Sequence, residues 1–245
     1  MSFDIQNKTV LVTGANRGIG KALVIAFLDH GANKVYAAVR QLKNAADLVE
    51  QFGDRVVPVE LDLVNPASIK KAASLAQDVD MVVNNAGVFV GAGTLDENAI
   101  STLDYQMKVN VHGLIHIAQA FAPVLKANGG GVFVQLNSVV SLKAFQDFMS
   151  YSASKAAAYS VTQELRDQLK AQGTRVLSVH PGPIATDMGD EAGLTDIAEP
   201  PTVVSEALLE ALKTDQFHVF PGSMAQQFGA AYQGFAKAII EAEPA

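Results

Sequence analysis

The sequence predicts an α/β protein in which a single doubly wound parallel sheet carries helices on both faces. Short β-branched segments recur along the chain and are apolar almost throughout, as strands buried on both faces require. Longer segments with helical spacing of apolar residues separate them, which is typical of a doubly wound sheet. The predicted strands are residues 10–13, 34–39, 56–61, 81–84, 132–136 and 175–180.

The segments between the strands show the apolar stripe of a helix with one buried face. One stripe follows the first strand, and Gly31 stands where the C-cap of that helix is expected. Another stripe precedes the sixth strand. The first stripe is Ile19, Ala22, Leu23, Ala26 and Phe27, and the later one is Ala158, Val161, Thr162, Leu165 and Leu169.

The composition suits one globular domain over residues 1–245. Of the 245 residues, 49% are hydrophobic and 18% are charged, and no repeat, low-complexity tract or linker divides the chain. The formal net charge is −7, and no stretch concentrates basic residues. We therefore expect neither nucleic acid nor an anionic membrane as a partner.

The absence of Cys excludes a disulfide framework, a thiolate zinc site and a cysteine nucleophile. Residues 1–8 lack the basic and apolar regions of a signal peptide. No apolar run approaches the roughly 20 residues that a membrane helix needs. These features favour a cytoplasmic protein without a membrane span.

The segment between residues 183 and 201 looks irregular and strongly acidic. Loops of this length in compact domains are usually lids or binding loops. We expect a substrate loop here, and a solvated acidic surface loop is the alternative. Its acidic residues are Asp187, Asp190, Glu191, Asp196 and Glu199.

A glycine-rich turn joins the first strand to the first helix and indicates a Rossmann-type dinucleotide site. Glycines permit the tight turn and let the backbone approach a pyrophosphate, while the helix N-terminus offers N–H groups to the phosphates. The strand-to-helix context makes the pattern specific. The turn contains Gly14, Asn16, Arg17, Gly18, Ile19 and Gly20.

The end of the second strand favours NADP(H) over NAD(H). An NAD site normally places an acidic residue there for the ribose hydroxyls, but this chain has no acid between Ala38 and Asp47. Arg40, together with Arg17, is suited to clamp a ribose 2′-phosphate by charge-assisted hydrogen bonds. The alternative is that both arginines are solvated loop residues.

At this point the sequence resembles the short-chain dehydrogenases/reductases, over about residues 8–212. Asn84-Asn85-Ala86-Gly87 after the fourth strand matches a family motif that steadies the sheet and flanks the cofactor. The resemblance also implies that Asp62, before Leu63, contacts the adenine, and that a later segment meets the nicotinamide end. That segment comprises Pro181, Gly182, Ile184 and Thr186.

The same resemblance implies a catalytic set of Asn110, Ser138, Tyr151 and Lys155. In the family the lysine also bonds the nicotinamide ribose, and the asparagine holds a water that relays protons from the lysine. The whole predicted cofactor-binding set is Gly14, Asn16, Arg17, Gly18, Ile19, Gly20, Arg40, Asp62, Leu63, Asn85, Ala86, Gly87, Tyr151, Lys155, Pro181, Gly182, Ile184 and Thr186.

The chemistry of these side chains supports the assignment independently. Tyr151 and Lys155 are four residues apart, so on a helix they share one face. A free phenol has a pKa near 10, and an adjacent ammonium is expected to lower it. Tyr151 then donates a proton to a carbonyl oxygen as hydride arrives at carbon, and Ser138 polarises the same oxygen.

His112 and His116 form a competing pattern, because two histidines four apart on a helix have metal-ligand spacing. No Glu stands beside His112, and no third ligand is evident in the sequence. We expect no metal here, and we expect the pair to serve in packing or in a subunit contact.

The carboxyl-terminal part departs from many family members, which end in a seventh strand carrying Val-Asp-Gly-Gly. Here residues 217–223 end the alternating region, which argues against an enzyme of fatty-acid synthesis. A homodimer or homotetramer is expected, although this chain departs from the family at the last strand, which usually builds the tetramer contact. A helical tail over about 223–245 has an apolar stripe that packs on its own domain, lines the pocket or meets a partner subunit. The stripe is Met224, Phe228, Tyr232, Phe235 and Ile239.

Apolar residues flank the presumed catalytic set and predict an apolar pocket wall. They are Phe89, Val90, Leu142, Phe145, Phe148 and Met149. The sequence therefore favours an NADPH-dependent reductase of a hydrophobic aldehyde or ketone. The alternatives are an oxidising alcohol or hydroxysteroid dehydrogenase, and a non-catalytic NADP-binding redox sensor, which would generally lack the Tyr/Lys pair. A related dehalogenase would show Arg in place of Lys155.

Overall fold

The computed structural model describes residues 2–241 and contains one seven-stranded parallel sheet with the strand order β3-β2-β1-β4-β5-β6-β7. The doubly wound Rossmann-type fold predicted from the sequence is confirmed, and the predicted strand ends differ by at most one residue. The strands are β1 Thr9–Thr13, β2 Lys34–Val39, β3 Val56–Glu60, β4 Met81–Asn84, β5 Val132–Leu136, β6 Arg175–Val179 and β7 His218–Val219.

Nine α-helices lie within residues 2–241. The predicted stripes fall on the first and sixth of them, and Gly31 follows the first helix with φ +90°, as a C-terminal glycine should. A π-helical segment, Met107–His112, leads into the fifth helix. The helices are α1 Gly18–Asp29, α2 Ala46–Phe52, α3 Pro66–Leu75, α4 Ala99–Gln106, α5 Gly113–Ala127, α6 Met149–Lys170, α7 Asp187–Glu191, α8 Thr202–Leu212 and α9 Ser223–Phe235.

Helices cover the sheet on both faces because successive strand residues point to opposite sides. In β1, Val10 and Val12 belong to one apolar cluster, which residues of α1, α2 and α8 complete. Leu11 belongs to the other cluster, together with residues of α3, α5 and α6. The strands are therefore buried on both faces, which explains why they read as continuous apolar runs.

The sheet topology also fixes where a ligand can bind. The chain leaves β1 for β2 on one side and later returns to place β4 on the other side of β1. Ligands of open α/β sheets bind at the carboxyl ends of the strands beside such a switch point. The glycine-rich turn and the segment after β4 both lie at this edge.

The segment 183–201 is less irregular than the sequence suggests. It contains α7 and a 3₁₀ turn, Thr195–Ile197, and a bridge between Ile184 and Glu199 pairs its two ends. A pattern of acidic residues with few apolar ones hides such short elements, because so short a helix has no apolar stripe of its own.

The helical tail begins as predicted, and its apolar stripe divides between two environments. Met224 and Phe228 pack against Val139 and Val140, whereas Phe235 and Ile239 are 55% and 64% exposed. Residues 242–245 of the predicted tail lie outside the described residues. Within residues 2–241, no helix has both the length and the apolar character to cross a membrane.

Candidate active site

The glycine-rich turn and the Asn85–Gly87 segment are held together by hydrogen bonds to Thr13, which is fully buried. The Thr13 hydroxyl accepts from the backbone N–H groups of Asn85 at 3.0 Å and Ala86 at 2.9 Å. The Asn85 side-chain amide donates back to the Thr13 carbonyl oxygen at 2.8 Å. A Cβ on Gly14 would lie 3.2 Å from Ala86, so two motifs 72 residues apart in sequence form one compact unit.

The start of α1 fits the phosphates of a dinucleotide. Arg17 is the N-cap residue and, among the described residues, no side chain caps this helix end or places an acid in its first turn. The first N–H groups of a helix have no partner within the helix, and its dipole favours anions there. A Cβ on Gly20 would lie 2.1 Å from the Gly14 carbonyl oxygen, so the tight turn requires glycine.

The predicted ribose and adenine residues lie along the same edge. The backbone N–H of Gly14 donates to the Ala38 carbonyl oxygen at 2.9 Å, which brings the glycine turn beside the end of β2, where Arg40 is exposed. Asp62 follows β3, and its carboxylate accepts from the Val64 backbone N–H at 3.1 Å. Leu63 is buried against the position of Gly113 at the start of α5.

Lys155, Asn110 and Gly87 meet at the centre of the site. A Cβ on Gly87 would lie 3.1 Å from Asn110 Oδ1 and 3.8 Å from Lys155 Nζ. Asn110 lies in the π-helical segment before α5, accepts from the Val88 backbone N–H at 2.9 Å and donates to the Ser154 hydroxyl at 3.0 Å. Segments of π-helix are frequent at functional sites.

Lys155 is buried, and its ammonium donates to the Leu136 carbonyl oxygen at the end of β5 at 2.7 Å. Burial lowers the pKa of Lys155 to about 8, because the charged form loses hydration. The group is therefore still mostly charged at neutral pH. The predicted arrangement on one face of α6 is confirmed, since Lys155 Nζ lies 5.7 Å from the Tyr151 ring centroid.

The Tyr151 phenol behaves differently from the sequence-based expectation. Burial raises its pKa above the ordinary value, because the phenolate is poorly solvated there. The expected lowering of this pKa by the adjacent ammonium is not seen in this structure, where Lys155 bonds the Leu136 carbonyl oxygen and the shift is caused by burial of the phenol. The hydroxyl donates to Met188 Sδ at 3.9 Å.

Ser138 follows β5 and is tied to the end of β6. Its hydroxyl lies 3.5 Å from the Pro181 carbonyl oxygen, and this carbonyl accepts from the Val139 backbone N–H at 3.0 Å. Gly182 packs against Met224, since a Cβ there would lie 3.3 Å from the Met224 Cβ. Two predicted site segments, the Ser138 turn and Pro181–Gly182, thus meet the first turn of α9.

Sequence reasoning missed His180, which lies between β6 and Pro181 and supports the Ser138 turn. Its Nδ1 is 2.9 Å from the Ser141 hydroxyl and 3.1 Å from the Ser138 carbonyl oxygen, and its Nε2 is 2.7 Å from the Ser178 hydroxyl. Burial lowers its pKa to about 3, so the imidazole is neutral at pH 7. A polar residue at the carboxyl end of a buried strand was the available signal.

The segment 183–201 packs directly on the glycine turn and on Tyr151. Thr186 caps α7 by accepting from the Gly189 backbone N–H at 3.1 Å, and its methyl group lies 2.8 Å from where a Cβ of Gly18 would be. The carboxylate of Asp187 pairs with Arg17 at 2.5 Å. Sequence reasoning found Thr186 but assigned no contact to Asp187 or Met188.

The predicted apolar wall divides into two parts. Phe89 packs edge-on against Tyr151, with ring centroids 5.3 Å apart, and also contacts Phe148 at 5.1 Å. The lining of a cavity of about 630 Å³ includes none of the four predicted catalytic residues. Its apolar lining includes Leu142, Phe145 and Met149.

The two histidines with metal-ligand spacing lie on the surface of the helix. His112 is exposed at the end of the π-helical segment, and His116 is half-buried on α5. In residues 2–241 no cluster of three or more His, Asp or Glu side chains has a geometry that suits a metal ion.

The chain is similar to known oxidoreductases. The family model described as short chain dehydrogenase matches residues 8–196. An uncharacterized oxidoreductase of Staphylococcus aureus (strain USA300) is 30% identical over 222 residues, which cover 88% of this chain and 94% of the relative.

Solved structures show the same relationship. A short chain dehydrogenase from Burkholderia cenocepacia, crystallised in complex with NADP, is 35% identical, with a TM-score of 0.88 and coverage of 97% of each chain. A 3-ketoacyl-(acyl-carrier-protein) reductase from Brucella melitensis, complexed with NADH, is 25% identical with a TM-score of 0.77, covering 86% of this chain and 92% of that one. With the family model spanning most of its length and its motifs assembled at one edge of the sheet, the chain belongs to the short-chain dehydrogenase/reductase family of oxidoreductases.

Proposed function

We propose that this oxidoreductase uses NADPH to reduce a hydrophobic aldehyde or ketone to the alcohol. The observation that carries the proposal is the pairing of half-buried Tyr151 with buried Lys155, next to Asn110 and Gly87 at the carboxyl edge of the sheet. A phenol and an ammonium in this position are the acid and the cation that carbonyl reduction needs.

The residues present fit a dinucleotide with a 2′-phosphate. The uncapped start of α1 offers backbone N–H groups to the pyrophosphate, and Arg17 lies at this helix end. Arg40 supplies a second cation at the end of β2, where NAD-binding proteins normally place an acid. The Burkholderia cenocepacia relative crystallised with NADP supports the same choice of cofactor.

When bound, NADPH supplies the hydride. Tyr151 donates the proton to the carbonyl oxygen, and Ser138 donates a hydrogen bond to the same oxygen. Because burial raises the pKa of Tyr151, the phenol keeps its proton at neutral pH and is in the form that a general acid requires. Lys155 is charged below its pKa of about 8 and stabilises the phenolate that forms.

The side chains around the Tyr151 hydroxyl favour an apolar substrate. Phe89 packs against the phenol ring and Phe148 against Phe89, while Met188 covers the hydroxyl from the segment 183–201. A charged group would lose part of its hydration among these apolar side chains. The proposal is therefore limited to an uncharged, hydrophobic carbonyl compound.

The test is NADPH oxidation, measured beside NADH, with a panel of aromatic aldehydes, aryl ketones and diketones. Tyr151→Phe should lower kcat by roughly 100-fold or more, since general acid catalysis contributes about 10²–10⁴. Tyr105→Phe is the matched control, because Tyr105 is exposed on α4 and should retain full activity. If the protein binds NADPH but shows no turnover that Tyr151→Phe abolishes, the proposal is refuted and a redox sensor is supported.

A further inference from the structure

The ion pair between Arg17 and Asp187 joins the two parts of the protein that flank the dinucleotide site. Arg17 is the N-cap of α1 in the glycine turn, and Asp187 is the first residue of α7 in the segment 183–201. Their side chains are 62% and 64% exposed, and the guanidinium donates to the carboxylate at 2.5 Å. Asp187 is therefore paired with Arg17, the cation that the proposed function assigns to a phosphate of the cofactor.

The neighbours of Asp187 hold it in this place. Thr186 caps α7 and packs its methyl group against the Gly18 position, and Met188 contacts the Tyr151 hydroxyl. Since the residues on both sides are anchored, the carboxylate stays within reach of Arg17. An anion that is tethered in this way competes with a ligand at a high effective concentration.

We propose that Asp187 is a cofactor-discriminating residue that competes with the 2′-phosphate of NADP(H) for Arg17. The inference rests on the proposed NADP(H) site and extends it to a residue that opposes binding. NAD(H) carries a hydroxyl at the same position and has no charge with which to displace the carboxylate. Asp187 therefore weakens binding of NADP(H) selectively and leaves NAD(H) unaffected.

Charge and exposure set the size of the effect. A phosphate monoester carries about −1.5 to −2 charges at pH 7, against −1 for a carboxylate, so the phosphate displaces Asp187. Exposed ion pairs contribute little, and the competition should therefore cost NADP(H) only about two- to fivefold in affinity. Because exposed pairs are screened by salt, the cost should shrink as the ionic strength rises.

The experiment is calorimetric titration of the full chain with NADP⁺ and NAD⁺ at low and high salt. The fragments 2′,5′-ADP and 5′-AMP serve as simpler probes of the 2′-phosphate. Asp187→Asn should tighten NADP⁺ and 2′,5′-ADP by about two- to fivefold at low salt and leave NAD⁺ and 5′-AMP unchanged. In an Arg17→Ala background the same substitution should have no effect.

Asp190→Asn is the matched control, because Asp190 lies on the same short helix and accepts from the Thr195 hydroxyl at 2.8 Å instead of pairing with Arg17. An equal gain in NADP⁺ affinity with Asp190→Asn would mean a general charge effect and would overturn the proposal. Weaker or unchanged NADP⁺ binding by Asp187→Asn would overturn it too, provided that Arg17→Ala still weakens NADP⁺. If Arg17→Ala leaves NADP⁺ affinity unchanged, the cofactor assignment fails and this inference falls with it.

Discussion

Two regions that flank the dinucleotide site are built in opposite ways. The first, which we call the frame, consists of the glycine turn 13–20 and the segment 84–87. Its hydrogen bonds centre on Thr13, which is fully buried, and on Asn84, whose amide donates to the Gln135 side chain at 2.7 Å. The segment 183–201, by contrast, is attached to the frame by the exposed Arg17–Asp187 pair and by side-chain packing.

The contrast teaches which part of the site is fixed before a ligand arrives. Buried hydrogen bonds in the frame have no water to replace them, so breaking them costs the desolvation of each group left unpaired. The exposed contacts of the segment, Arg17–Asp187 and Thr195–Asp190, exchange with water and ions at little cost. Ligand-binding loops are drawn from the regions of low local stability, and these exposed contacts are of that kind.

Glycine substitutions should give the largest difference in stability between the frame and the segment 183–201. Gly20→Ala places a Cβ 2.1 Å from the Gly14 carbonyl oxygen and 2.7 Å from the Asn85 side chain, so we expect a loss of about 3 kcal/mol or more in the free energy of unfolding, together with loss of cofactor binding. Gly193→Ala in the segment meets no atom within 4 Å and has only its φ of +71° to accommodate, which should cost about 1 to 2 kcal/mol. Urea denaturation measures the free energy of unfolding of both variants. Equal losses of stability would show that the two regions do not differ in this way.

A pair of threonines should sharpen the contrast at a smaller scale. Thr13→Val keeps the shape of the side chain but leaves the Ala86 N–H without the hydroxyl that accepts from it, which should cost about 2 kcal/mol. Thr195→Val removes an exposed hydrogen bond to Asp190 and should change stability by less than about 0.5 kcal/mol. The measurement is the free energy of unfolding of each variant. If Thr195→Val lowers it as much as Thr13→Val does, the segment is as rigidly attached as the frame.

Much of this arrangement could be predicted from the sequence, because it is encoded locally. Six strands follow from continuous apolar runs, and the glycine turn follows from its position between a strand and a helix. The Tyr151–Lys155 face follows from their spacing alone. Asn85, Ala86 and Gly87 are found through a motif that resembles a family pattern, and the structure places them against Gly14 and Lys155.

The parts that escaped prediction depend on tertiary contacts. The two-residue strand β7 is too short to give a pattern, and it forms only because β6 offers a partner at Ser178 and Val179. The pKa of Tyr151 is decided by burial under residues distant in sequence. Arg17 and Asp187 are 170 positions apart, and the sequence around each residue gives no sign that the two side chains pair.

His180 lies at the border of the two regions, immediately before the segment and beneath the Ser138 turn, and it gives the last test. Its pKa in the folded protein, about 3, is below the ordinary value of 6.5, so folding favours the neutral form. As the pH falls below 6.5 the unfolded chain binds a proton at this residue and the folded chain does not, so its stability decreases down to about pH 3. At pH 5 we expect this residue alone to cost about 1 to 2 kcal/mol relative to pH 7. His180→Asn should reduce the loss between pH 7 and pH 5 by that amount in urea denaturation, whereas exposed His112→Asn should retain the wild-type loss. If His180→Asn loses as much stability between pH 7 and pH 5 as the wild type, the imidazole is not held neutral in the folded protein. The surroundings of His180 would then resemble the loosely attached segment and not the frame.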